Sequence, residues 1–455
     1  MRSLLPLTLM AALVGCDVFD GREDPDPEPP IVDEVPEVPP VSPPQCQSDA
    51  DCDDGETCWV NPAALWSRCV PACEVDADCD DGQLCRTMFD ARACVDPQDD
   101  EEPLPPPVDV EDGLPIAPTG ITCFGPVNNE ILEIPFSLGA DTTSAMVVPF
   151  TADGGPMAAI ALTVPDGRTF DLQAPGNNLL AVTASLIGTT APLFLPQFPA
   201  AEELVQPGDY IFSVAAITED LCAYVVPETS EAEPVLDLNV YYVGIEGLDA
   251  ASAPDDPGLQ AALDVLESTF AGADIEIGVV RHFDADPDVA DEFATIVDVD
   301  AQPGPLVSTS EPPGADDDAL LSVNVFLVAE FDDGGVIGIS QGIPGPIGLH
   351  GAAGSGVVMT AEFLDFIGGP ELTGQILAHE LGHWLGLFHS TEIAGGVFDP
   401  LADTPPCLDI AEFVANGTAD QCPDFLNLMF PFANPAATTV TPEQAGVLLA
   451  NPVTR

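Results

Sequence analysis

The stretch HELGHWLGLFHS, residues 379–390, leaves the backbone few choices, and it holds three of the chain's five histidines. His379 and His383 are four apart within PELTGQILAHELGHWLGL, a run of helix-compatible residues entered by Pro370. On a helix that spacing sends both imidazoles from one face, one turn apart. Gly386 can adopt a left-handed conformation and stop the helix, so that the chain doubles back and brings in His389. Three neutral imidazoles with one open position describe a catalytic zinc, whereas structural zinc sites close with four protein ligands. We therefore expect one Zn2+ on His379, His383 and His389. Glu380, beside the first ligand, is placed to take a proton from water at the open position rather than to bind metal. His282 and His350 stand outside this spacing and are expected to be structural or surface residues.

Composition narrows the partners. The 455 residues are 46% apolar, enough for real cores in several domains. Against 77 acidic residues stand only 8 basic ones, all arginine, for a net charge of −69. Such a surface repels nucleic acid and anionic headgroups, so no nucleic-acid partner is expected. It reads as a solvated acidic coat, with some carboxylates chemically suited to Ca2+.

The N-terminus, MRSLLPLTLMAALVGC, has one early cation and an apolar run from Leu4 to Val14, the form of a secretory signal. Its last four residues, Leu13-Val14-Gly15-Cys16, resemble a bacterial lipobox, which implies lipidation of Cys16 and a membrane anchor. Residues 1–16 are accordingly expected to be a lipoprotein signal peptide. Of the thirteen cysteines, twelve then remain, an even number suited to an oxidising compartment.

Residues 17–45 are proline-rich and acidic, as are residues 96–120, and both are expected to be extended linkers. Between them, residues 46–95 hold a tandem repeat: CQSDADCDDGETC and CEVDADCDDGQLC align without a gap at an offset of 27. Eight cysteines in so short a module imply disulfide stapling, with a connectivity that spacing does not fix. In residues 121–233, runs such as SAMVVPF and DYIFSVAAI are short, β-rich and punctuated by turn formers, the pattern of a β-sandwich. Cys123 and Cys222 stand near its two ends and are expected to close it as a disulfide. From 234 to 455 strand-like and helix-like segments alternate, which predicts an α/β domain with a mixed sheet and the histidine helix. The expected fold is thus multidomain, with this C-terminal α/β domain preceded by a β-sandwich and a small disulfide-rich module.

Here the residues reach a known family. HELGHWLGLFHS resembles the zinc signature of the metzincin metalloproteases, and the segment after it is similar to their pappalysin-like branch. That segment reads Asp403-Thr404-Pro405, then Cys407 and Cys422, then NLMFP at 427–431, with TPEQ at 441–444. The resemblance implies a metzincin-like catalytic domain over roughly residues 236–455, a Cys407–Cys422 pair, and Met429 as the structural methionine beneath the zinc site. It also implies Ca2+ near the Asp403 loop. Many relatives carry a tyrosine two residues after the turn methionine; this chain has Pro431 there.

What the resemblance implies is a zinc metalloendopeptidase of the cell envelope, hydrolysing peptide bonds through a zinc-bound water activated by Glu380. The partners would be a protein or peptide substrate and, through Cys16, a bacterial membrane. The location would be the outer membrane or cell surface, with release from it as the variant. An extended substrate would lie along an edge strand within SVNVFLVAEF or GVIGISQG. The competing reading is a non-catalytic surface adhesin or binding lipoprotein with a degenerate protease domain, favoured by the missing tyrosine and opposed by the retained Glu380.

Overall fold

The computed structural model describes residues 56–61, 66–71, 84–88, 91–95, 120–151, 154–172, 189–229, 234–299, 301–311, 321–332, 336–364, 366–391, 399–407 and 422–454. The signal peptide with Cys16 and both proline-rich linkers lie outside these residues, apart from position 120. The chain divides into two compact units, Met1–Pro103 and Leu104–Arg455.

In the first unit the tandem repeat folds as two hairpins. Strand β1 (Glu56–Asn61) pairs antiparallel with β2 (Trp66–Pro71), and β3 (Leu84–Met88) pairs with β4 (Ala91–Val95). Cys58 stands opposite Cys69 in the first hairpin, and Cys85 opposite Cys94 in the second. The sequence repeat is therefore a structural repeat, with the closing cysteine of each copy brought into register with the cysteine before it.

The second unit begins with β5 (Thr122–Leu138), β6 (Thr142–Thr151), β7 (Met157–Thr163), β8 (Thr169–Asp171), β9 (Leu193–Leu195) and β10 (Gly208–Thr229). The hydrogen bonding joins all six strands into one continuous antiparallel sheet, and β5, β6, β7 and β10 all send side chains into one apolar core. The long strand β10 is its spine. It carries β5 along one edge and, on the other, β7 over its first half and β6 over its second. Cys123 and Cys222 are cross-strand partners and form a disulfide. Short-range alternation reveals strands; it does not reveal that one strand serves two neighbours in succession.

The apolar run in β6 has a two-sided cause. Ala145 and Val147 point into the sheet's own core, whereas Met146, Val148 and Phe150 point into the core of the following α/β segment. Alternate residues of a strand face opposite sides, so both faces of β6 are buried. Strand β10 does the same further along, sending Cys222 and Tyr224 one way and Leu221 and Ala223 the other. In its first half the inward residues are Tyr210, Phe212, Val214 and Ala216. Register shifts between Ala216 and Cys222 switch the phase from even to odd positions, as bulges do.

The α/β segment is built on β11 (Val235–Val243), β12 (Glu276–Asp284), β14 (Val323–Val328), β16 (Gly338–Ser340) and β17 (Gly356–Thr360), with β13 (Thr295–Ile296) and β15 (Glu330–Phe331) as a separate small pair. Strand order is β12-β11-β14-β17-β16; the first four are parallel and β16 runs antiparallel to β17. This is the mixed sheet anticipated from the sequence. Of the two candidate edge segments, SVNVFLVAEF supplies β14, which lies between β11 and β17 and is buried throughout. GVIGISQG supplies the terminal strand β16.

Helices α1 (Pro257–Ala271), α2 (Pro287–Phe293), α3 (Pro303–Val307), α4 (Gly369–Trp384) and α5 (Pro442–Ala450) accompany the sheet. Asp256 caps α1 by accepting from the Leu259 amide, and Pro257 sits in the first turn, where a missing N–H costs nothing. Helix α1 packs on α4 through a close approach at Gly374, where a Cβ would stand 2.3 Å from the carbonyl oxygen of Ala262. That approach and the shared apolar core fix the axis of the helix that carries the histidines.

Candidate metal centre

Helix α4 delivers His379 and His383 on adjacent turns, with Pro370 in its first turn. Its end is a Schellman arrangement. The amide of Gly386 donates to the His383 carbonyl, and the amide of Leu387 reaches back to Gly382, both at 2.9 Å. Gly386 has φ +117°, a conformation that a side chain opposes. The chain leaves the helix there, and three residues later His389 faces the other two rings.

Two hydrogen bonds set the tautomers. His379 donates its Nδ1–H to the Leu428 carbonyl (2.7 Å) and His383 donates its Nδ1–H to the Leu387 carbonyl (2.8 Å). A carbonyl only accepts, so each Nδ1 carries the proton and each Nε2 offers a lone pair. The Nε2 of His389 lies 3.2 Å from that of His379 and 3.0 Å from that of His383. Ligands at roughly 2.0–2.1 Å from a tetrahedral ion stand about 3.3 Å apart, so the three nitrogens fit one such ion. Burial, then the neighbouring His389 ring, lowers His379 to about 3 and His383 well below its usual value. Both rings are neutral at ordinary pH and ready to ligate. A set of three imidazoles suits a first-row transition-metal dication, zinc among them.

Glu380 is buried beside this cluster and bounded by the edge strand. A Cβ on Gly338 would stand 2.9 Å from its Cγ and its Oε1. The Ser340 backbone hydrogen-bonds its carboxyl group, which tempers the effect of burial; burial prevails and raises the group to about 8.

Met429 is wholly buried, and its Sδ lies 2.7 Å from where a Cβ on Gly382 would be. It therefore packs under the helical turn between His379 and His383. The loop carrying it is pinned by Asn427, which accepts from the Met429 amide and exchanges two hydrogen bonds with Gln444. Gln444 also closes the capping box that starts α5 at Thr441. The TPEQ segment thus ties the start of α5 to the methionine loop, a role its sequence did not reveal.

Other candidates fall in place around the site. Cys407 and Cys422 form a disulfide. The two oxygens of Asp403 accept from the Thr441 hydroxyl and the Glu443 amide, so Asp403 also serves the start of α5. Thr404 donates to Asp399, whose carboxyl is raised by burial to about 6. Beyond the histidines, the described residues bring together one other group of metal-ligating side chains, Cys407, Cys422 and Asp424, and its cysteines are consumed by the disulfide. His350 is buried against Asn324 and His282 bonds Tyr242, structural settings for both.

Pro431 occupies the position where relatives of the resembled family carry tyrosine. All four tyrosines are engaged elsewhere: Tyr210 with Leu204 and Gln206, Tyr224 with Ile347, Tyr241 with Glu311, and Tyr242 with His282. No phenol is therefore aimed at the histidines.

No protein-family profile matches the chain, and no curated protein matches it. Among solved structures it is similar to metalloproteinase-II from Bacteroides fragilis, at 13% identity and a TM-score of 0.24, over 49% of this chain and 54% of that one. A family two carbohydrate esterase from Clostridium thermocellum, solved with cellohexaose, matches at 12% identity and a TM-score of 0.12, over 46% of this chain and 61% of that one. The chain thus spans about half the length of the metalloproteinase it matches. Similarity this low leaves the functional reading to the site's own geometry.

Proposed function

We propose that the chain is a zinc metalloendopeptidase of metzincin type, anchored to a bacterial envelope through lipid on Cys16. The observation that carries the reading is the convergence of three Nε2 atoms beside a buried glutamate and the edge strand. The Cys123–Cys222 and Cys407–Cys422 disulfides fit an oxidising, extracellular or periplasmic environment. Among the described residues no helix is long and apolar enough to cross a membrane, and the proposed lipid would supply the attachment.

When bound by His379, His383 and His389, zinc supplies a Lewis acid that polarises a carbonyl and lowers the pKa of water. The protein's own groups do the rest. The Nδ1–H bonds to Leu428 and Leu387 hold two rings with Nε2 inward. Strand β16 offers its outer edge to an extended peptide, which pairs with it through backbone hydrogen bonds. In its ionised form Glu380 accepts a proton from the attacking water as the new C–O bond forms, then gives it to the amide nitrogen as the C–N bond breaks. The charge built up on the carbonyl oxygen must be met without a phenolic hydroxyl, since Pro431 supplies none.

The alternative is an adhesin whose protease domain no longer turns over, and the missing tyrosine is the feature that favours it. Casein digestion distinguishes the two. The proposed enzyme cleaves casein, stops on chelation and resumes on adding zinc, and Glu380→Gln keeps one equivalent of zinc while losing nearly all turnover. Undiminished cleavage by the Glu380→Gln variant would overturn the proposed roles.

A further inference from the structure

The bend between α4 and His389 is held by side chains from widely separated parts of the sequence. Three successive carbonyls are involved. Leu385 accepts from Asn451 Nδ2 at 2.9 Å, Gly386 from Gln197 Nε2 at 3.0 Å, and Leu387 from His383 Nδ1 at 2.8 Å. The last donor is itself one of the three histidines. The other two are amides buried to within 1% of full enclosure.

Carbonyls at a helix end lack intrahelical partners and must find others when buried. Here the partner of Gly386 comes from 189 residues upstream, in the antiparallel-sheet segment. The residues around Gln197 reinforce the contact. Phe194 lies 3.4 Å from where a Cβ on Gly386 would be, and the Phe198 ring packs on Phe388, the neighbour of His389, at 6.2 Å between centroids. With φ at +117°, Gly386 is held by these surroundings rather than by its own torsional preference, since glycine populates many alternatives.

We propose that Gln197 is a positioning residue for the third metal ligand, so that the upstream sheet, and not the α/β segment alone, sets where His389 sits. The proposal rests on the reading of His379, His383 and His389 as a zinc site. It gives the sheet a definite part in the chemistry: it holds the bend on which His389 depends.

The test compares the full-length protein with Gln197→Leu and with Tyr224→Phe as a control. Tyr224 donates to the Ile347 carbonyl at 2.7 Å, a buried bond between the same two segments that does not end on the bend. Leucine keeps roughly the volume of glutamine and leaves the Gly386 carbonyl unpartnered. The readouts are the zinc dissociation constant, by competition with a chelator, and the visible absorption of the cobalt-substituted protein. Q197L is expected to bind zinc about tenfold more weakly, as losses of outer-shell support do, and to shift the cobalt bands. Y224F is expected to lower Tm with zinc affinity and cobalt bands unchanged. Should Q197L fail to fold, Gln197→Asn draws the amide back by one methylene and is expected to weaken zinc in the same direction. A Gln197 variant that loses Tm but keeps affinity and bands overturns the proposal. A wild-type protein that takes up no zinc overturns the metal reading first, and this inference with it.

Discussion

Gly338 lies against Glu380: a methyl group on Gly338 would stand 2.9 Å from both the Cγ and the Oε1 of the glutamate. The edge strand and the proposed proton carrier therefore share one small space. Gly338→Ala should push the carboxyl group aside without touching the histidines. The expected outcome is a fall in kcat of about 10²-fold, at the lower end of what general acid–base catalysis contributes, with zinc content unchanged. Steady-state kinetics and metal analysis on the same preparation check it.

Metal removal should cost stability as well as activity. The three nitrogens converge only in the folded chain, so zinc binds the native state in preference to the unfolded one and loading is linked to folding. Dialysis against a chelator is expected to lower Tm, and one equivalent of zinc to restore it. At a free zinc concentration of about 1,000 times Kd the linkage is worth about 4 kcal/mol. Calorimetry that finds equal Tm with and without zinc would contradict the three-histidine site.

Asp399 gives a pH signature. Burial raises its carboxyl to about 6 from an ordinary 3.8, opposed by bonds from Thr404 and Leu401. The native state thus holds this proton more tightly than the unfolded chain. The stability it contributes is full below about pH 4 and is lost as pH rises through 6. Asp399→Asn should therefore stabilise at pH 7–8, by on the order of 2 kcal/mol, and change little at pH 4. Urea unfolding across that range reads the difference directly.

The Cys123–Cys222 disulfide spans 99 residues of sequence. Closing a loop of that length restricts the unfolded chain by about 4–5 kcal/mol in the chain-entropy account. Replacing both cysteines with serine is expected to lower the urea midpoint strongly. The zinc ligands, which lie on other elements, should still load in the fraction that remains folded.

How much of this was legible beforehand depended on sequence distance. The helix, its termination at Gly386 and the three histidines were readable because spacings of three and four residues translate directly into helix geometry. Cys123 and Cys222 stood out at the two ends of one β-rich region, whereas the Cys407–Cys422 pair was implied by the family resemblance. The choice between β14 and β16 as the edge was not readable, since strand neighbours are set by pairings up to 85 residues away, such as that of Leu238 with Val323. Gln197 and Asn451 carried no local signal at all, because an amide that caps a distant carbonyl looks like any polar residue in a loop. What covers β6 was not readable either: alternation in SAMVVPF is masked when both faces are buried, and nothing nearby says what lies against the second face.

Strand β6, with its side chains divided between two interiors, acts as a party wall. Removing the upstream sheet would strip Met146, Val148 and Phe150 from the interior of the α/β half and leave a greasy scar where they had been. If the protein is trimmed on its way to maturity, the scissors must therefore close ahead of β5, and a cut placed just before β11 would spoil the product rather than release it.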